Sequence, residues 1–120
     1  MMNILVCEDN EVERKVIEMA LAGHHHVNVH YARDGRKALQ LLSSTEFDLI
    51  ITDIHMPYHN GDEILDFIRQ QQKLDTPIVM ISSDRQEEVI KLALKLGVNE
   101  FIEKPIDPDS VKKKIMKFLS

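Results

Sequence analysis

The chain has 120 residues, 43% hydrophobic, 29% charged and 5% aromatic, which excludes a disordered segment and sets the length of one domain burying roughly two-thirds of its unfolded surface. No run approaches the ~18 apolar residues of a membrane-spanning helix, and no basic n-region precedes Ile4 and Leu5, so neither an anchor nor a signal peptide is expected. A formal net charge of −5 argues against a nucleic-acid-binding domain, and Cys7, the single cysteine, excludes an internal disulfide and fits a reducing, cytoplasmic setting.

In chain order, strands are predicted at 3–7, 27–31, 47–52, 78–81 and 100–102, with helices at about 11–22, 35–43, 61–72, 86–96 and 109–119. The first strand, Ile4-Leu5-Val6-Cys7, ends in Glu8-Asp9. In the helix after it, Val12, Val16, Met19 and Ala20 have the spacing of one buried stripe. His24-His25-His26 follow Gly23, with His30 nearby, and because adjacent histidines cannot all face one ion they are expected in a solvated loop. His59 is likewise expected to be exposed. Leu49-Ile50-Ile51-Thr52 and Ile78-Val79-Met80-Ile81 are continuous apolar runs, as strands covered on both faces are, and they end in Asp53 and in Ser82-Ser83. On the fourth helical stretch Val89, Leu92, Ala93 and Leu96 form the stripe. Ile90 and Leu94 fall outside it, either widening the buried face or forming an output surface with Lys91, Lys95 and the fifth strand. Phe101-Ile102 ends in Glu103-Lys104-Pro105, and Lys112, Lys113, Lys114 and Lys117 read as a solvated helix face with no interleaved aromatics. Gly23, Gly35, Gly61 and Gly97 all fall at element edges.

Strands alternating with helices through short links predict a single α/β domain over residues 1–120, a parallel sheet with helices on both sides. Right-handed crossovers put every strand's carboxyl end on one edge of such a sheet, where ligands bind. Glu8, Asp9, Asp53, Ser82 and Lys104, scattered in sequence, therefore converge. Carboxylates about 4 Å apart repel by about 4 kcal/mol at an effective dielectric near 20, so the three acids call for a cation. A hard divalent ion with oxygen ligands suits them, and Lys104 and the Ser82 hydroxyl suit a phosphoryl group. The following Pro105 permits a cis peptide that aims Lys104 inward.

Together these residues resemble the receiver domain of two-component response regulators, of the CheY-like superfamily, over the whole chain. Cys7-Glu8-Asp9-Asn10 resembles the family's acidic pair, Asp53 its phosphoacceptor, and Met56-Pro57 with Gly61 the loop that follows. Ser82 matches its Thr/Ser, Lys104-Pro105 its Lys-Pro, and Phe101 its switch aromatic. The resemblance implies a doubly wound, flavodoxin-like (βα)5 fold with strand order 2-1-3-4-5. It implies a switch, not a turnover enzyme: Asp53 takes a phosphoryl group from the phosphohistidine of a histidine kinase or phosphotransfer protein and later loses it. Mg2+, for which Mn2+ can substitute, is implied at Asp9, Asp53 and the backbone carbonyl of His55, with Glu8 acting through water. Lys104 and Ser82 clamp the phosphoryl group, and Ser82 moving toward it vacates space that Phe101 fills. The family uses the surface of the fourth helix, fifth strand and fifth helix for protein partners or phosphorylation-dependent dimers; no direct contact with nucleic acid or membrane is expected. An effector beyond residue 120, fused or separate, is left open.

Some positions depart from the family's commoner residues. Ser82 stands for threonine and lacks its methyl, and Phe101 stands for tyrosine and has no hydroxyl to donate. His55 and Asp84, each two residues beyond a key group, are expected to tune access of the hydrolytic water and so the lifetime of the phosphoryl bond. Two other functions fit less well. A haloacid-dehalogenase-like phosphatase needs a second aspartate two residues after its nucleophile, where this chain has His55, and a cap domain. A flavodoxin-like cofactor binder needs a Ser/Thr/Gly-rich loop after the first strand, where Glu8-Asp9-Asn10-Glu11-Val12-Glu13 would repel phosphate without a metal.

Overall fold

The computed structural model describes residues 1–54, 61–72, 74–83, 90–91, 94–95 and 97–119, with the backbone alone at 61 and 62. Five strands, β1 (Met2–Cys7), β2 (Val27–Ala32), β3 (Leu49–Asp53), β4 (Ile78–Ser82) and β5 (Glu100–Glu103), form one sheet in the order β2-β1-β3-β4-β5. All four pairings are parallel. This is the doubly wound order the sequence led us to expect.

Alternation along the strands divides the core into two layers. Leu5, Cys7, Ile50 and Met80 face helices α2 (Gly35–Ser44) and α3 (Gly61–Asp66) through Ala38, Leu42, Ile64 and Leu65. Ile4, Val6, Ile51, Val79 and Ile81 face α1 (Glu11–Leu21) and the C-terminal helix (Pro108–Ile115) through Ile17, Ala20, Leu21, Val111 and Ile115. Every residue of β3 and of β4 is buried, as continuous apolar runs require.

Capping chemistry sets the helix starts. Asn10, Asp34 and Asp107 each accept a hydrogen bond from the backbone N–H three residues on, and Pro108 opens the C-terminal helix. That helix therefore starts one residue before the predicted 109, and it tightens to a 3₁₀ turn over Met116–Phe118. The third helical stretch loosens instead: Phe67–Gln71 is a π-helical turn in which Gln72 N–H donates to the Phe67 carbonyl.

The structure corrects the stripe assigned to α1. Ala20 is buried and Val16 packs partly buried against the core as expected, but Val12 and Met19 are exposed, and Ile17 and Leu21 are buried in their place. The helix is turned so that positions 13, 17, 20 and 21, an i, i+4, i+7, i+8 series, face the sheet.

Residues 90–91 and 94–95 are helical, with Ile90 half-buried and Leu94 exposed, so Leu94 does not widen the buried face. Val89, Leu92, Ala93 and Leu96 lie outside the described residues. The histidine run is a loop as expected, but His26 is tied down, its Nε2 lying 2.8 Å from the Leu119 carbonyl oxygen.

Candidate functional site

The strand register brings the predicted residues to one edge. Cys7 pairs with Thr52, Asp53 with Ile81, and Ser82 with Glu103, so residues 8, 53, 82 and 104 all lie at the carboxyl ends of neighbouring strands. Backbone bonds extend the ladder past the strands: Glu8 N–H donates to Ala32 O at 3.0 Å, Ile54 N–H to Ile81 O at 3.1 Å, and Lys104 N–H to Ser82 O at 2.9 Å. Each functional side chain thus leaves a backbone already fixed by the sheet.

Glu8, Asp53 and Ser82 are buried polar residues, as is Thr52 beside Asp53. Lys104 Nζ donates to Asp53 Oδ2 at 2.5 Å, also pairs with Glu13, and lies 3.9 Å from Glu8 Oε1. The Lys104–Pro105 peptide is cis. Glu8 Oε1 accepts from Asn10 N–H at 3.2 Å, while Glu8 Oε2, fully buried, receives no hydrogen bond among the described residues.

The electrostatics follow from crowding. Burial first, then the Asp53 charge, holds the Glu8 carboxyl well above the usual carboxylate range. Burial would lower the pKa of the Lys104 ammonium, but its bonds to Asp53 and Glu13 outweigh that and raise it. One ammonium is therefore permanent in this site. Burial also pushes the Cys7 thiol up to about 12, the hydrogen bond with Thr52 offsetting only part of it, so Cys7 stays a neutral core residue and not a nucleophile.

One oxygen from each of Glu8, Glu13 and Asp53 lies within 4.8 Å of the others, a cluster able to hold a metal ion. The donor set fits a hard divalent cation: all ligands are carboxylate oxygens, and Glu8 Oε2 is an unsatisfied buried acceptor beside them. Asp9, expected as a ligand, is exposed at the start of the loop and is not one of the three. His55 and Asp84 lie outside the described residues, as do Met56 and Pro57, while Gly61 opens α3. Phe101 is half-buried on β5 against the α2–α3 layer of the core, in register with Met80 and two residues before the partner of Ser82.

Glu13 was not foreseen. Its signal was present in the sequence as the polar first member of the series Glu13, Ile17, Ala20, Leu21, whose other members are buried. A helix face that packs on the sheet carries its first-turn residue to the sheet's carboxyl edge.

Comparison with known proteins agrees with this geometry. The family described as the response regulator receiver domain matches residues 4–116. A chemotaxis protein CheY homologue of Campylobacter jejuni is 35% identical over 116 residues, covering 95% of this chain and 89% of that protein. The chemotaxis protein CheY of Pseudomonas aeruginosa is 32% identical over 117 residues, covering 97% and 94%. Among solved structures, the chemotaxis response regulator CheY4 of Vibrio cholerae superposes with a TM-score of 0.87 at 28% identity, covering 98% of each chain. The chain belongs to the response regulator receiver domain family.

Proposed function

We propose that residues 1–120 form one receiver unit, a cytoplasmic signalling switch in which Asp53 accepts a phosphoryl group from the phosphohistidine of a histidine kinase or phosphotransfer protein. A single observation carries this reading: a buried carboxylate at the end of β3, held by the Lys104 ammonium at 2.5 Å at the edge where ligands of such sheets bind. An Asp53 carboxylate oxygen attacks phosphorus as the P–N bond to the donor breaks. The departing imidazole keeps the bonding pair, and an acyl phosphate results. Lys104 and the Ser82 hydroxyl would meet the phosphoryl oxygens, so that the protein's contribution is positioning and charge. Glu8, Asp9, Asp53 and the His55 carbonyl would hold Mg2+, or Mn2+ in its place, which when bound neutralises charge on the transferring group. Water attack on phosphorus later returns the free carboxylate, with His55 and Asp84 tuning its access. The only chemistry is uptake and loss at Asp53, with no separate substrate turned over.

The readout we infer is Ser82 drawing toward the phosphoryl group and Phe101 filling the space behind it. Burial of Ser82, and the Lys104 N–H bond to its carbonyl, support a coupled movement of these loops. The face of β5, the C-terminal helix and the helical residues 90–91 and 94–95 would then meet a protein partner or a second copy. Incubation with acetyl phosphate and Mg2+ tests the chemistry. Wild type should gain the mass of one phosphoryl group and Asp53→Asn should not; a gain that persists in Asp53→Asn refutes the assignment.

A further inference from the structure

The Lys104 ammonium is shared. Of its three carboxylate partners, Asp53 is the proposed phosphoacceptor and Glu8 a proposed metal ligand; Glu13 has no part in the reaction as written. The backbone of Glu13 is set by the helix cap and the packing of α1. Its N–H donates to the Asn10 side chain at 3.0 Å, and Ile17, Ala20 and Leu21 on the same face of α1 are buried in the core. Side-chain exposure rises from 0% at Glu8 to 4% at Asp53, 17% at Lys104 and 27% at Glu13. Glu13 is therefore the most exposed of the carboxylates paired with Lys104 among the described residues, on the outer side of the cluster. A phosphoryl group arriving at Asp53 must compete with Glu13 for the Lys104 ammonium and must approach a like charge.

We propose that Glu13 is a positioning and specificity residue: it holds Lys104 in the unphosphorylated protein and selects against small, highly charged phosphodonors. The proposal rests on the reading of Asp53 as phosphoacceptor. A small dianion such as acetyl phosphate meets the full repulsion. Phosphoramidate, a net monoanion at neutral pH, meets about half of it.

The test compares initial rates of phosphorylation by these two donors for wild type, Glu13→Gln and Glu13→Asp, with the Mg2+ dissociation constant of each protein measured by calorimetry. Glu13→Gln should react about tenfold faster with acetyl phosphate and only about threefold faster with phosphoramidate, an advantage that shrinks with added salt. Glu13→Asp, which keeps the charge, should stay within about twofold of wild type, and the Mg2+ dissociation constant of Glu13→Gln separates a role on Lys104 from a role as the third carboxylate of the metal cluster. Equal rates for Glu13→Gln and wild type, or an equal gain with both donors, would overturn the proposal. So would a large loss of Mg2+ affinity in Glu13→Gln, which would make Glu13 a metal ligand instead. The two readings separate cleanly. If wild type takes up no phosphoryl group, or Asp53→Asn takes one up, the phosphoacceptor assignment fails; if those controls behave and Glu13→Gln tracks wild type, only the role of Glu13 fails.

Discussion

Among the described residues Lys104 is the one cation beside the three carboxylates, and removing it shows what the site is balanced against. With its ammonium gone, the buried Asp53 carboxylate, with Glu13 beside it, loses the cation that offsets its charge. Lys104→Met should therefore lower stability in EDTA by about 3 kcal/mol, the usual consequence of breaking one side of a buried pair. Millimolar Mg2+ should recover a good part of it, because a divalent ion supplies the missing charge. Urea denaturation with and without Mg2+ checks this, and an unchanged midpoint in EDTA would contradict it. At this scale the sequence was most legible where an apolar run stopped abruptly at a polar residue, as at Asp53, Ser82 and Lys104. It was least legible at Glu13, which sits in a run of helix-forming, charged residues and looks like any solvated first-turn acid.

That miss belongs to the element. The phase of α1 was read from Val12 and Met19, whose spacing imitates a buried stripe but which face solvent. Surface apolar residues are common, so a stripe of four cannot be phased by hydrophobicity alone. The cap is the better marker, because Asn10 fixes where α1 starts and hence where Glu13 points. Asn10→Ala should cost about 1 kcal/mol in thermal or urea unfolding, with Asn10→Asp near wild type. A second element-scale clip joins β5 to the C-terminal helix. Glu100 accepts from Lys117 Nζ at 3.0 Å and from Lys114 Nζ at 3.5 Å. Partial burial would raise the Glu100 pKa, but the Lys117 bond, the Phe101 N–H and the Lys114 charge together lower it. A carboxyl with a depressed folded-state pKa stabilises the fold above its unfolded value and loses that contribution as pH falls through the folded one. Glu100→Gln should thus be destabilised at pH 7 by no more than about 1 kcal/mol, since both lysines are half exposed, and less in high salt. The difference from wild type should shrink as pH falls below the ordinary carboxylate range and vanish once Glu100 is protonated in the folded state too; a deficit that persists there would point to packing and not charge.

Across the whole molecule, strand order was legible because alternation, short links and crossover handedness leave few topologies, and the family resemblance chose among them. What ties the opposite edge of the sheet was not legible, since it depends on one arginine reaching three acceptors in two separate loops. Arg69, in the π-helical turn, donates through Nη1 to Leu74 O at 2.8 Å and through Nη2 to Gly97 O at 2.9 Å and Asn99 Oδ1 at 3.2 Å. Asn99 Oδ1 in turn accepts from Ile78 N–H at 2.9 Å, where β4 begins. Gly97, at φ +88°, leaves the room this requires, because a Cβ there would stand 3.0 Å from Arg69 Nε. These bonds close the amino-terminal ends of β4 and β5, while the site lies at their carboxyl ends. The Arg69 tie thus lies at the opposite edge of the sheet from Ser82 and Lys104 and shares no partner with them among the bonds described. Arg69→Met should remove about 2 kcal/mol of stability by leaving the three acceptors short of a donor. Phosphorylation of Asp53 by acetyl phosphate should stay within about twofold of wild type, because distant sites with no shared partners act independently. Measuring both on one variant separates the two edges: a phosphorylation rate that falls along with stability would mean that the Arg69 tie also sets the geometry of the reacting edge.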